Sequence, residues 1–296
     1  MNPDPMKTMT NRKTGSCLFS DSIFRKVATV LLLTHSFFLN AQTFPMAGVL
    51  PSENEVVEGI SVGAGRSSVT DEYLSPNLYS GFSIEARQDR MGSRGDDRLF
   101  RYSRNRSSLS ASHLRNDTGN GVQLEAAAVL VHVRETQLLH YKYYDLLFGP
   151  SAMGGLDAIY NLRNSNNPAN VHGWIAAGVG ADSMFRFRMC KRQLALDASV
   201  SMPVIGVFFA PEYNLPYYLL YEEGLYGKAL HFMHPFNVSV FSHDVALFVP
   251  MGRNQLSLSM SFDIMAHRLG GNYAGITHSR FSLGYVHRFE RKYNGR

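Results

Sequence analysis

His278 and Ser279 sit side by side, and Asp263 lies on a stretch that pairs naturally with theirs as a neighbouring strand. A serine, a histidine and a carboxylate are the parts of an activated nucleophile and its base, and on a membrane barrel they would make a lipid hydrolase. A triad is defined by geometry, however, and serine and histidine are ordinary occupants of a polar strand face. No catalytic set is therefore assigned, and Ser279, His278 and Asp263 stand only as weak candidates. His231 and His234 are three apart, a spacing that suits zinc on a helix. No third ligand follows at a characteristic distance and Pro235 comes next, so no metal is assigned. Nothing in the chain calls for a cofactor. Glu222 and Glu223 form a paired carboxylate that solvation accounts for.

The elements that would hold these residues are strands. From Asn254 to His267 apolar and polar residues alternate strictly: Leu256, Leu258, Met260, Phe262, Ile264 and Ala266 fall on one face, and Ser257, Ser259, Ser261, Asp263 and His267 fall mainly on the other. Strands of soluble proteins are usually about 5 to 6 residues long, whereas a tilted strand crossing a bilayer needs roughly 9 to 11. This one is long enough to span. Arg192 to Met202 repeats the pattern, with Asp197 and Ser199 on the polar side, and so does Gly173 to Phe187. A closing strand is expected over Thr277 to Glu290. Weaker candidates cover 59–68, 79–89, 99–112, 121–133, 152–162 and 236–249.

The predicted fold is all-β: an antiparallel, up-and-down transmembrane β-barrel. Counting one or two more strands in 138–148 and 204–211 gives about twelve, within a range of ten to fourteen, and an even number is expected of a single-chain bacterial barrel. In that fold Leu258, Met260 and Phe262 face lipid, and Ser257, Ser259, Ser261, Asp263, Asp197 and Ser199 line the lumen.

Residues 1–41 are expected to be a signal peptide, because Arg25 and Lys26 introduce the apolar run Val27 to Leu39 and a cleavable Ala41-Gln42 junction follows. The run is shorter than the roughly 20 apolar residues of a helical span. Residues 42–56 form a short polar lead and 57–296 one barrel domain. Removing the leader takes five basic and two acidic residues with it and lowers the formal charge from +5 to +2. That near neutrality gives no warrant for nucleic-acid binding. Arg87, Arg90, Arg94, Arg98, Arg101, Arg104 and Arg106 are interleaved with Asp89, Asp96 and Asp97, which reads as a solvated hairpin and its loop. Cys17 leaves with the leader, so Cys190 remains alone and an intrachain disulfide is excluded.

The least regular segment, Phe208 to Pro235, is rich in aromatics and proline and is predicted to be a structured loop with a helical turn near Tyr217 to Glu223. Tyr213, Tyr217, Tyr218, Glu222 and Glu223 are its candidate plugging residues over one mouth of the barrel. The implied partners are outer-membrane lipid and small solutes.

Several short motifs together resemble a family known as domain of unknown function 3316. They are Tyr73-Leu74-Ser75-Pro76 with Tyr79-Ser80-Gly81, Asn166-Asn167-Pro168-Ala169, Pro203 to Tyr213 with Tyr217-Tyr218, Pro235-Phe236-Asn237, and His278 to Phe289. The family's Ser-Pro-Gln-Tyr-Gly pattern reads Ala210-Pro211-Glu212-Tyr213-Asn214 here. The resemblance implies an exported outer-membrane protein of the Bacteroidota and supplies no catalytic residues. The function expected is that of a small pore, transport channel or structural envelope component; the alternatives are a barrel lipid hydrolase and a secreted soluble β-protein that binds a partner.

Overall fold

The structure, a computed structural model, describes residues 50–53, 55–93, 99–165, 168–189, 192–213, 215–252 and 254–290. The expected leader, Cys190 and the last six residues lie outside these. Strands dominate: β1 (Glu55–Asp71), β2 (Ser75–Ser93), β3 (Tyr102–Asn116), β4 (Val122–Tyr141), β5 (Tyr144–Asn161), β6 (Ala169–Met189), β7 (Arg192–Phe209), β8 (Leu230–Met233), β9 (Val238–Met251), β10 (Asn254–Leu269) and β11 (Asn272–Glu290). A short α-helix, α1 (Tyr217–Glu222), and a 3-10 turn at Tyr226–Lys228 interrupt them.

Each long strand pairs antiparallel with its neighbours in the chain, β7 pairs with β9, and β1 pairs with β11 from Glu55↔Glu290 to Asp71↔Ala274. The sheet closes on itself as a barrel of ten strands, and the four-residue β8 is an additional short strand paired to the far end of β7, beyond the β7–β9 ladder. Ten replaces the twelve expected from the sequence. The stretches 138–148 and 204–211, counted as further strands, are instead the continuation of the β4–β5 hairpin and the end of β7. Closure leaves no long free edge, which a sheet of this size could not carry safely.

Polarity is inverted relative to a soluble barrel. The outward positions carry the apolar side chains and leave them bare: Ile175 is 77% exposed, Phe281 68% and Ile60 64%. Inward positions carry Arg280, Glu125, Glu135, Asp182 and His172, all buried. A strand has two faces of opposite sense, so the alternation read in the sequence becomes a greasy outside and a charged inside.

An even strand count places Glu55 and Glu290 on one rim. Connections at that rim include the two-residue link 142–143, and the far rim holds the long connection 210–237. The far-rim turn between β10 and β11 is Gly270-Gly271, with φ of 57° and 80°, the doubly left-handed conformation of a two-residue hairpin that glycine adopts without strain.

Inside, one wall is apolar. Trp174, Met153, Val131, Val133, Phe208 and Met233 form a buried cluster. Trp174 reaches over Gly155, where an added Cβ would come within 2.4 Å of the indole nitrogen.

Candidate functional site

The ionic interior is built in tiers by arginines. Arg106 on β3 donates from Nε to Asp89 at 2.8 Å and from Nη2 to Ser199 at 3.1 Å, and its Nη1 bonds Asp244 on β9. In a ring of ten strands β3 and β9 stand five places apart, so this side chain crosses the barrel. Arg87 on β2 shares the same Asp244. Arg104 bonds Asp182 on β6 and, at 2.7 Å, Asp197 on β7. The planar guanidinium fork meets two carboxylates at once from separate, fixed nitrogens, where a lysine would offer a single point charge. The lumen at this level is therefore spanned by side chains.

A second tier centres on Arg280. Its Nε donates to Ser83 at 3.0 Å, and its Nη1 lies 3.2 Å from Glu85 and 3.3 Å from Asp263. Asp263 also accepts from Ser242. Near the rim that holds Glu55 and Glu290, Arg186 pairs with Asp145, which accepts from Gln137 at 2.7 Å.

The third tier, toward the far rim, replaces arginine by histidine. Ser67 donates to Glu125 at 3.0 Å, and His278 Nε2 lies 3.0 Å from the other oxygen of the same carboxylate. His172 sits between Asp157 at 3.7 Å and Asp71 at 3.9 Å, with the His267 ring 5.0 Å away. Asn170 links this tier to the mouth: its amide donates to Asp71 at 2.8 Å and its carbonyl oxygen accepts from the Tyr217 hydroxyl at 2.7 Å.

The 210–237 connection folds over the far mouth and is pinned at three places around it. Tyr217, the first residue of α1, accepts at its hydroxyl from the Val171 amide at 2.7 Å on β6. Tyr73, in the β1–β2 turn, donates to the Leu215 carbonyl at 3.0 Å and packs edge-on against Tyr217. At the β10–β11 turn the Tyr213 amide donates to the Gly270 carbonyl at 2.9 Å, and Asn272 donates to Pro211 at 3.2 Å. Leu215, Leu220 and Ala229 close the underside with Phe209 and Leu225. Burial raises both phenols: Tyr73, with Asp71 adding to the effect, is pushed up to about 12, and Tyr217 is raised as well, with Tyr73 and Asp71 adding to the effect of burial.

The residues singled out in the sequence are distributed as follows. Ser257, Ser261, Asp197 and Ser199 are buried in the barrel interior, Ser259 is half-buried on the same face of β10, and Asp263 is held between Arg280 and Ser242. Of the loop residues, Tyr217 is docked, whereas Tyr213, Tyr218, Glu222 and Glu223 are exposed. His278 and Ser279 are not brought together. Consecutive strand residues point to opposite faces, so His278 turns inward to Glu125 while Ser279 turns outward, and a nucleophile–base pair cannot form. His231 is engaged with the Ala210 carbonyl at 3.0 Å.

Three of the arginines read as a solvated hairpin are corrected: Arg87 is buried and Arg104 and Arg106 are nearly so, each aimed at carboxylates from the other side of the barrel. Arg90 and Arg101 are exposed as expected, and Arg94, Asp96, Asp97 and Arg98 lie outside the described residues. The signal was present in the spacing, since Glu85, Arg87 and Asp89, like Arg104 and Arg106, are two apart and hence share one face. Their partners across the barrel, Asp182, Asp197 and Asp244, are more than seventy residues away and had no local mark.

These features together define a closed ten-stranded antiparallel barrel of the outer-membrane type, with an ion-paired interior and a covered mouth. The chain belongs to the family described as "Protein of unknown function (DUF3316)", which matches residues 28–295. A search of curated proteins finds no match. Among solved structures the chain is similar to the outer membrane protease OmpT of Escherichia coli, at 6% identity and a TM-score of 0.42 over 82% of this chain and 99% of that one. It is also similar to an outer membrane channel of Pseudomonas putida F1, at 11% identity and 0.38 over 84% and 100%. A third is the transport unit of the autotransporter AIDA-I of Escherichia coli, at 10% identity and 0.37 over 89% and 97%. These are likenesses of overall architecture, and no residue role is carried from any of them.

Proposed function

We propose that this protein resides in the outer membrane and acts there as a sealed barrel, a structural component of the envelope rather than an open pore. The leader expected at residues 1–41 and the bare apolar exterior support the location. The carrying observation for the sealed state is the Arg106–Asp244 bond between opposite strands, flanked by Arg87 and by Arg104 with its two aspartates. A barrel of ten strands is little wider than the eight-stranded kind that side chains fill, so one such layer obstructs it. The docked loop at the far mouth is a second barrier in series. Solute passage then requires both barriers to yield.

Planar-bilayer recording tests this. The intact protein, folded into the membrane, is expected to give no stable open level, and replacing residues 213–223 by a short Gly-Ser turn is expected to leave it closed. Conductance should appear only when Arg104→Ser and Arg106→Ser are added to that replacement. Steady open steps from the intact protein would refute the sealed reading.

A further inference from the structure

The seam between β7 and β9 is broken. Its ladder runs from Ala195↔Phe248 to Ser201↔Ser242 and stops, and β7 finds a partner again only at Gly206↔Met233, on β8. Between those points β7 has residues 202–205, and the facing chain has 234–241, with no pairing between them among the described residues. The β7 side includes Pro203, which has no amide hydrogen to offer, and a register shift against β6 opposite Ala177 and Gly178. On the facing side His234–Asn237 turns back on itself: Asn237 and Val238 both donate to the His234 carbonyl, at 3.1 and 3.0 Å, and the Asn237 side chain bonds the Phe232 carbonyl at 2.7 Å. The turn satisfies its own backbone and leaves the seam open.

What lies on either side of this gap differs from the rest of the wall. At the arginine and histidine tiers the greasy exterior is backed by charge. Here the outer face shows Val204, Ile205, Phe232 and Phe236, the last 98% exposed, and the inner face directly beyond is the apolar cluster of Phe208, Met233, Val238 and Trp174 with Met265 packed against it. Apolar side chains thus stand on both sides of a stretch of wall that strand pairing does not hold. Methionines are unbranched and yield to an incoming group more readily than other apolar side chains. The apolar lining would reject a charged group, which finds nothing there to offset its desolvation.

We infer that the β7–β9 seam is a lateral portal through which an alkyl chain passes from the surrounding bilayer into the apolar half of the barrel, where Met233, Met265 and Trp174 receive it. The inference rests on the proposed outer-membrane placement, and the test separates the two. The full chain is reconstituted in vesicles carrying a phospholipid with a photoactivatable diazirine on its acyl chain, or in plain vesicles with a free fatty acid bearing the same group. After irradiation the labelled residues are mapped by mass spectrometry.

Label on Met233, Met265 or Trp174, together with label on outward residues such as Ile60 and Phe281, supports the portal. The phospholipid arm against the fatty-acid arm then identifies the source of the chain. A variant lacking residues 234–237, whose β8 and β9 run on as one strand, should lose the interior label and keep the outward label; if that variant does not fold, the map of the natural protein decides alone. Outward label without interior label overturns the portal and leaves the membrane placement standing. No label at either place overturns both.

Discussion

At the scale of single residues, the two faces of β10 give the sharpest expectation. Met260 is exposed on the outer face and Ser259 is half-buried on the inner one. Arginine at Met260 should destabilise the folded, inserted barrel by about 2 to 4 kcal/mol if the site is near the bilayer midplane, and arginine at Ser259 by much less. Refolding titrations into vesicles measure both, and equal losses would contradict the orientation. Arg104 offers a second test. Arg104→Leu strands Asp182 and Asp197 in the interior beside Glu135, and removing one partner of a buried ion pair costs about 3 to 5 kcal/mol. The triple change with Asp182→Asn and Asp197→Asn should recover most of that loss, because the two carboxylates left without Arg104 are then neutral amides. Persistence of the full defect in the triple variant would mean that Arg104 acts through packing.

At the scale of elements, the loop over the far mouth depends on close backbone approach. An added Cβ at Gly270 would meet the Glu212 Cα at 2.8 Å, and the residue has a positive φ besides. Gly270→Ala should therefore lift the 210–237 segment while the ten-stranded ring persists, seen as faster proteolysis within that segment at unchanged strand content. The docking also has a pH limit. Tyr73 is raised from 10 to about 12 in the folded protein, so its contribution is fully present below about pH 10 and is lost as pH rises through 12, the sense expected of a group that binds its proton more tightly when folded. Alkaline titration followed by tyrosinate absorbance should show this late ionisation accompanied by release of the loop. A Tyr73 that ionised near 10 with the loop still docked would oppose it.

The same scale shows what the sequence could disclose. The alternation in β6, β7, β10 and β11 was legible because lipid and interior impose opposite demands on neighbouring residues, and α1 was legible from a proline-bounded aromatic run. The number of strands was not, since strands of up to 21 residues swallow segments such as 204–211 that look separate when judged by length. The ion-paired interior was half legible. The two-residue spacing of the arginines gave their common face, but the direction of that face depends on Asp182, Asp197 and Asp244, which closure alone brings near.

At the scale of the whole molecule, those same bonds have a consequence for how the barrel is made. Arg87 and Asp244 are 157 positions apart in the chain, Arg106 and Asp244 138, and Arg280 and Ser83 197. A nascent sheet of the first six strands would hold Arg87, Arg106 and Glu85 with their distant partners still unbuilt, each charge needing water. Such an intermediate has no stable place in hydrocarbon, because leaving the aqueous phase before the last strands arrive would strand several ions at once. Assembly is therefore expected to be all-or-none and slow, limited by the search that joins β1 to β11. Chains truncated at either end should remain in the aqueous compartment as substrates for chaperones and proteases, so that the interior charge serves the envelope as a check on completeness.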